Sequence, residues 1–237
     1  YSEHPGTPLP HFDPTNFELY FLSRINTLPV TYWEEDVNLH GGAFYSISSI
    51  KCLRDSIRTK KFLMGIAEAV ERLSQDRERV EVCDAGSGAI PIFAIYAALI
   101  SSKVNATCLE VHKDSTDIAK SLVHAMGLGD RITIEQADAT TFVPDRYYDL
   151  LVSETIGNAL TREPIVQIMD NLVPYVESDG IILPSHILVK AALISVDDFF
   201  SAGKRYEHFN GATSHYYDPQ WHTVASFKPG DKLDTVS

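Results

Sequence analysis

Residues 80–91 restrict the fold of this chain more than any other stretch. Val80-Glu81-Val82-Cys83 is an apolar, β-prone run, and Asp84-Ala85-Gly86-Ser87-Gly88 is a turn of small residues. An apolar, alanine-rich segment from Ile92 to Ile100 follows at helical composition. Strand, glycine turn and helix in this order build the first ligand-binding crevice of a doubly wound α/β fold. The glycines admit positive φ and a close approach of ligand to backbone. A dinucleotide fingerprint would place a third glycine near position 91, where this chain has Pro91.

The chain beyond this turn keeps the same alternation. Strands are expected over 79–83, 104–110, 131–135, 147–152 and 180–183, and helices over 90–101, 114–126 and 162–176. Gly180 is expected to open the last strand. Upstream, Leu53, Ile57, Phe62, Ile66 and Val70 recur at roughly helical spacing, which predicts a long helix over 50–73 ended by Ser74-Gln75-Asp76. Strands that alternate with helices imply a mostly parallel, doubly wound sheet of the Rossmann-like α/β class.

Residues 1–49 read as an N-terminal arm and lid. Four prolines fall in the first 14 positions, a short helix with an aromatic stripe fits 16–25, and Gly41-Gly42 suits a hinge. Residues 50–185 form the expected core domain. Residues 186–237, with a β-branched run to Val196 and one or two strands over 223–236, read as a small β extension.

A 237-residue chain with 44% hydrophobic residues suits one domain with an appendage and a real core. Its net charge of −12 argues against nucleic acid, whose phosphates need a basic surface. No run reaches the length of a membrane span and no signal peptide is read. A chain that starts at Tyr1 rather than Met leaves room for residues before it. Of three cysteines, Cys83 and Cys108 lie in apolar strands as buried thiols, which suits a reducing cytoplasm. Nine histidines show no metal-ligand spacing, so no metal is expected.

Three acidic positions fall at carboxyl ends of expected strands. Glu110 closes the second strand, where a carboxylate can accept both ribose hydroxyls of an adenosine ligand; nicotinamide enzymes use the same geometry. Asp138 sits just past the third strand. Glu154 follows the fourth, in Ser153-Glu154-Thr155-Ile156-Gly157, and Glu163 lies nine positions on. Glu163 would also suit the first turn of a helix.

The pattern Asp84-x-Gly86-x-Gly88 resembles motif I of the class I S-adenosylmethionine methyltransferases. The segment from Ser153 to Glu163 resembles the double-glutamate hairpin of the protein arginine methyltransferase family, and Leu53-Arg54-Asp55-Ser56-Ile57-Arg58-Thr59 resembles that family's helix before the core. The resemblance runs from about 50 to 190. It implies S-adenosylmethionine as cofactor, held by Arg58, Asp84, Gly86, Gly88, Glu110 and Asp138. Arg58 is implied as partner of the cofactor's carboxylate, which a guanidinium grips with two hydrogen bonds, and Asp138 as partner of the adenine amino group. Glu154 and Glu163 are implied as the catalytic pair that clamps a guanidinium, and two carboxylates so placed should raise one another's pKa.

The departures are specific. Tyr20-Phe21 lies well upstream of the place for the family's Tyr-Phe pair, and Phe44-Tyr45 has the opposite order. Trp221-His222 is the nearest match to its Thr-His-Trp loop, and the region after 190 is short for its β-barrel and dimerisation arm. This favours a small guanidino compound or a short peptide as substrate, with a homodimer admitted, and neither nucleic acid nor membrane as partner. Two alternatives stay open. One is a class I methyltransferase acting at carbon, oxygen or another nitrogen of a different small molecule; the other is a domain that binds S-adenosylmethionine or a nucleotide without catalysis.

Overall fold

The computed structural model describes residues 53, 55–156, 160, 163–191 and 222–227. The chain divides into two units, Tyr1–Pro184 and Ser185–Ser237.

In the first unit, helix α1 (Ser56–Asp76) leads into strand β1 (Val80–Ala85) and helix α2 (Ile92–Ile100). Strand β2 (Val104–Glu110), helix α3 (Lys113–Ala125) and strand β3 (Ile132–Gln136) follow. Strand β4 (Tyr148–Val152), helix α4 (Ile165–Leu172), a 3-10 turn (Val173–Tyr175) and strand β5 (Val176–Leu183) complete it. The sheet runs in the order β3-β2-β1-β4-β5, and every pairing is parallel. The chain moves outward from β1 through β2 to β3, then returns to lay β4 on the other side of β1. Right-handed crossovers put α2 and α3 on one face of such a sheet, and the reversal puts α4 on the other.

Burial on both faces explains the composition of the central strands. All five residues of β4 are buried, as are five of six in β1. One continuous core joins Val80, Val82, Leu150 and Val152 to Leu63, Ile66, Val70 and Leu73 of α1 and to Ile92 and Ile95 of α2. The rings of Phe62 and Phe93 stack 5.0 Å apart between those two helices. Asp149, the charged residue of β4, is matched on the spot. Its Oδ1 pairs with Arg77 Nε at 2.8 Å, and its Oδ2 accepts the Glu81 N–H at 2.8 Å.

Several boundaries differ from the sequence expectation. Helix α1 starts at Ser56 rather than Ile50, because Asp55 caps it: Asp55 Oδ1 accepts the Arg58 N–H at 3.1 Å. It also runs through Ser74 to Asp76 and ends where Arg77 turns extended and pairs with Asp149 and Asp179. The helix expected over 162–176 is only Ile165–Leu172; Pro164 stands at its N-cap and Pro174 lies in the 3-10 turn that follows.

Gly180 does not open the last strand but lies inside β5, where the register against β4 shifts between Tyr148 and Leu150. A Cβ there would lie 2.6 Å from Val176 Cγ1 and 2.9 Å from the Glu177 carbonyl oxygen, so the bulge excludes any larger residue.

In the second unit, strand β6 (Ile187–Ala191) pairs antiparallel with strand β7 (His222–Phe227), with Ile187 opposite Phe227 and Ala191 opposite His222. The arm and lid expected over 1–49, the rest of the run to Val196, and any strand after Phe227 lie outside the described residues.

Candidate functional site

The reversal between β1 and β4 opens a crevice at the carboxyl ends of the strands, where open α/β sheets bind ligands. The glycine turn fills one side of it. The Gly86 and Ser87 N–H groups donate to the Leu109 carbonyl at 2.9 and 3.1 Å, folding the turn over the end of β2. Gly86 and Gly88 take φ of 78° and 66°, which side chains rarely adopt. Gly86 is doubly required, since a Cβ there would meet Thr155 Cγ2 at 2.4 Å.

Glu110 is 7% exposed and held from both sides. Its Oε2 accepts the Gly88 N–H at 2.9 Å and its Oε1 accepts the His112 N–H at 2.7 Å. Burial raises its pKa, and those N–H donors and the neighbouring His112 ring oppose the rise. Both oxygens are thereby aimed, and each keeps a lone pair for a ligand hydroxyl. Asp84 lies deeper, 1% exposed, with Oδ2 accepting the Ala94 N–H at 3.2 Å in the first turn of α2. Burial pushes its pKa up to about 7, against the effect of that N–H and with that of Glu110. Asp138 shapes the loop after β3: its Oδ1 accepts the Thr140 N–H at 2.9 Å and the Thr140 hydroxyl at 2.7 Å.

The loop after β4 forms the other side. Ser153, wholly buried, donates its N–H to the Leu183 carbonyl at 2.9 Å and its hydroxyl to the Ala85 carbonyl at 2.8 Å. Glu154 follows, and its Oε1 receives Arg58 Nη1 at 2.9 Å. Glu163 precedes α4 by two residues rather than lying in its first turn. Burial raises the pKa of both glutamates to about 7. The Arg58 charge opposes this at each; Asp55 adds to the rise at Glu154, and Glu154 adds to it at Glu163. Removal from water, rather than mutual repulsion, is thus the main cause.

All eight residues singled out from the sequence line one cavity of about 210 Å³: Arg58, Asp84, Gly86, Gly88, Glu110, Asp138, Glu154 and Glu163. That is below the roughly 300 Å³ at the lower end of ordinary ligand pockets. Two polar atoms of residues in its wall, Ser87 Oγ and His112 Nε2, are buried without a hydrogen-bond partner among the described residues. Orphaned polar atoms of this kind fit a wall completed by a polar ligand.

Sequence reasoning assigned no role to His112, to Ser115 or to the Ser153–Thr155 strap. Only their closeness to Glu110 and Glu154 in the chain pointed to them. Among the described residues no three metal-ligating side chains converge, and no helix is long and apolar enough to cross a membrane. Trp221 lies outside the described residues, and only the backbone of His222 is placed.

No protein-family model and no curated protein matches the chain. Solved structures do. The Trypanosoma brucei PRMT1 enzyme–prozyme complex with AdoHcy is 17% identical, with a TM-score of 0.57 over 79% of this chain and 63% of that one. Arabidopsis thaliana protein arginine methyltransferase 10 is 19% identical, with a TM-score of 0.47 over 70% of this chain and 53% of that one. A SAM-dependent methyltransferase from Thiobacillus denitrificans is 18% identical, with a TM-score of 0.43 over 61% and 54%. The chain thus spans between about half and two thirds of the length of these proteins. At such identities the likeness defines the fold, which is that of the class I S-adenosylmethionine-dependent methyltransferases.

Proposed function

We propose that this chain binds S-adenosylmethionine and methylates a guanidino nitrogen of arginine, free, derivatised or within a short peptide. One observation carries the reading. Glu154 and Glu163 wall the same cavity as Glu110 and the glycine turn, which supports a cation clamp beside an adenosine-type site.

Bound S-adenosylmethionine supplies a methyl already activated by its sulfonium. Glu110 would accept the ribose hydroxyls, Gly86 and Gly88 would give room at the backbone, and Arg58 would hold the carboxylate. The work left to the protein is to place a nucleophile in line. A guanidinium is a poor nucleophile, because its lone pairs are delocalised and it stays protonated. Glu154 and Glu163, once ionised, would grip its fork and draw positive charge toward themselves. One terminal nitrogen would then be richer in electrons and aimed at the methyl. Burial makes each ionised glutamate costly, so an arriving cation stabilises both.

The test is transfer of labelled methyl to free L-arginine, a guanidino acid, an arginine-containing peptide and a histone mixture in parallel. Transfer to any guanidino compound supports the reading, and the pattern among the four defines the substrate class. Binding of S-adenosylmethionine with transfer to none of them rejects the guanidinium clamp and leaves a methyltransferase of another small molecule, or a non-catalytic binding domain.

A further inference from the structure

Arg58, in the first turn of α1, and Glu154, in the loop after β4, both line the cavity and reach each other there. The Arg58 backbone is anchored by the Asp55 cap, and Glu154 follows the doubly tied Ser153. The two backbones are therefore fixed independently, and the guanidinium between them is the part that can swing. It lies on Glu154 Oε1 at 2.9 Å, with the two side chains 30% and 15% exposed. An arginine fork on that carboxylate is chemically what the proposed substrate would place there.

We propose that Arg58 is an exchangeable plug: it occupies Glu154 until the cofactor's carboxylate draws it away, so that cofactor binding opens the clamp to the substrate guanidinium. The inference rests on the function proposed above and adds to it an order of events. One arginine serves two anions in turn. While it pairs with Glu154, it is withheld from the cofactor carboxylate and also blocks the fork of an incoming guanidinium. When it leaves, Glu154 stands beside Glu163 and Asp55 with no other cation between them among the described residues, and an external guanidinium takes its place. By linkage the effect is reciprocal: each ligand must tighten the binding of the other.

The competition is testable without substrate or turnover. Isothermal titration compares S-adenosylhomocysteine, which carries the carboxylate, with 5′-methylthioadenosine, which lacks it. Glu154→Gln removes the charge that holds Arg58 and should tighten S-adenosylhomocysteine by about twofold to fivefold, the scale of a partly exposed ion pair. 5′-Methylthioadenosine should bind this variant as it binds the parent chain. Arg58→Met should weaken S-adenosylhomocysteine alone. In Arg58→Met/Glu154→Gln the gain from the second change should vanish, and this double variant separates competition from an indirect change in the pocket.

A folded Glu154→Gln chain that binds S-adenosylhomocysteine no more tightly than the parent overturns the plug. So does equal tightening of both nucleosides, or a gain that survives in the double variant. A parent chain that binds neither nucleoside overturns the cofactor assignment and the plug with it. Cofactor binding with no methyl transfer to guanidino compounds, but with the Glu154 effect intact, keeps the competition and removes only the substrate.

Discussion

The Ser153 hydroxyl donates to the Ala85 carbonyl across 2.8 Å, tying the first residue after β4 to the last residue of β1. The same hydroxyl lies 3.1 Å from Thr155 Oγ1. The residues on both sides of Glu154 are thereby strapped to the glycine turn. Ser153→Ala should leave a buried carbonyl without this donor and lower stability by about 1–3 kcal/mol. Urea unfolding measures the loss; an unchanged midpoint would show that the strap contributes nothing.

Gly86 has two independent reasons to be glycine, its φ of 78° and the 2.4 Å approach a Cβ would make to Thr155 Cγ2. Gly86→Ala should cost about 1–3 kcal/mol of stability, the usual range for forcing a side chain into such a backbone state. Adding Thr155→Ala should relieve the clash but not the backbone strain, so the double variant should recover only part of the midpoint. Full recovery would show that the φ angle carries no penalty here.

Glu154→Gln and Glu163→Gln keep the shape of the proposed clamp and remove its charge. Each should lower turnover by about 10²–10³-fold, the scale for removing a group aimed at a charge in the reaction. Neither should abolish cofactor binding, since neither is assigned a contact with the adenosine. Steady-state kinetics set beside nucleoside titration separates the two effects. Equal losses of turnover and cofactor affinity would count against the clamp.

Asp84, Glu154 and Glu163 are each raised to about 7, mainly by burial. Between about pH 4 and pH 7 the folded chain holds protons that unfolded carboxylates have released. Stability therefore falls as pH rises through that window, because the native state binds more protons there. The ligand-free chain should melt at a higher temperature near pH 5 than near pH 8, and Asp84→Asn or Glu154→Gln should flatten the slope. Catalysis should run the other way: kcat/KM should climb as pH passes about 7, where the clamp ionises. Melting curves and rate profiles that rise together would rule out these carboxylates as the titrating groups.

The local grammar of the core was readable because it rests on neighbours in the chain. Periodicity and the glycine turn place β1, α2, β2, α3 and β3 to within one or two residues. Strand order was not readable, since β1 pairs with both β2 and β4 and only the second pairing requires the chain to return. Local reading also missed the Asp55 cap and the bulge at Gly180, because a cap and a bulge depend on where a side chain or a partner strand lies. At the site, the sequence pointed to both glutamates and to Arg58. It did not reveal that Arg58 reaches Glu154 across 96 residues of chain. Nor did it show that removal from water outweighs repulsion in raising the two carboxyls, since burial is a property of the assembled cavity.

The placement of β4 against β1 also governs how the chain is assembled. Ala85 and Ser153 meet across 68 residues. During synthesis β1, β2 and β3 emerge first, and until Tyr148 to Val152 arrive, one edge of the buried strand β1 has no partner. An apolar strand with an open edge is the kind of surface through which partly made chains stick to one another. The crevice thus begins as an open, apolar strand edge in the nascent protein, and it is closed only by the strand that delivers Glu154.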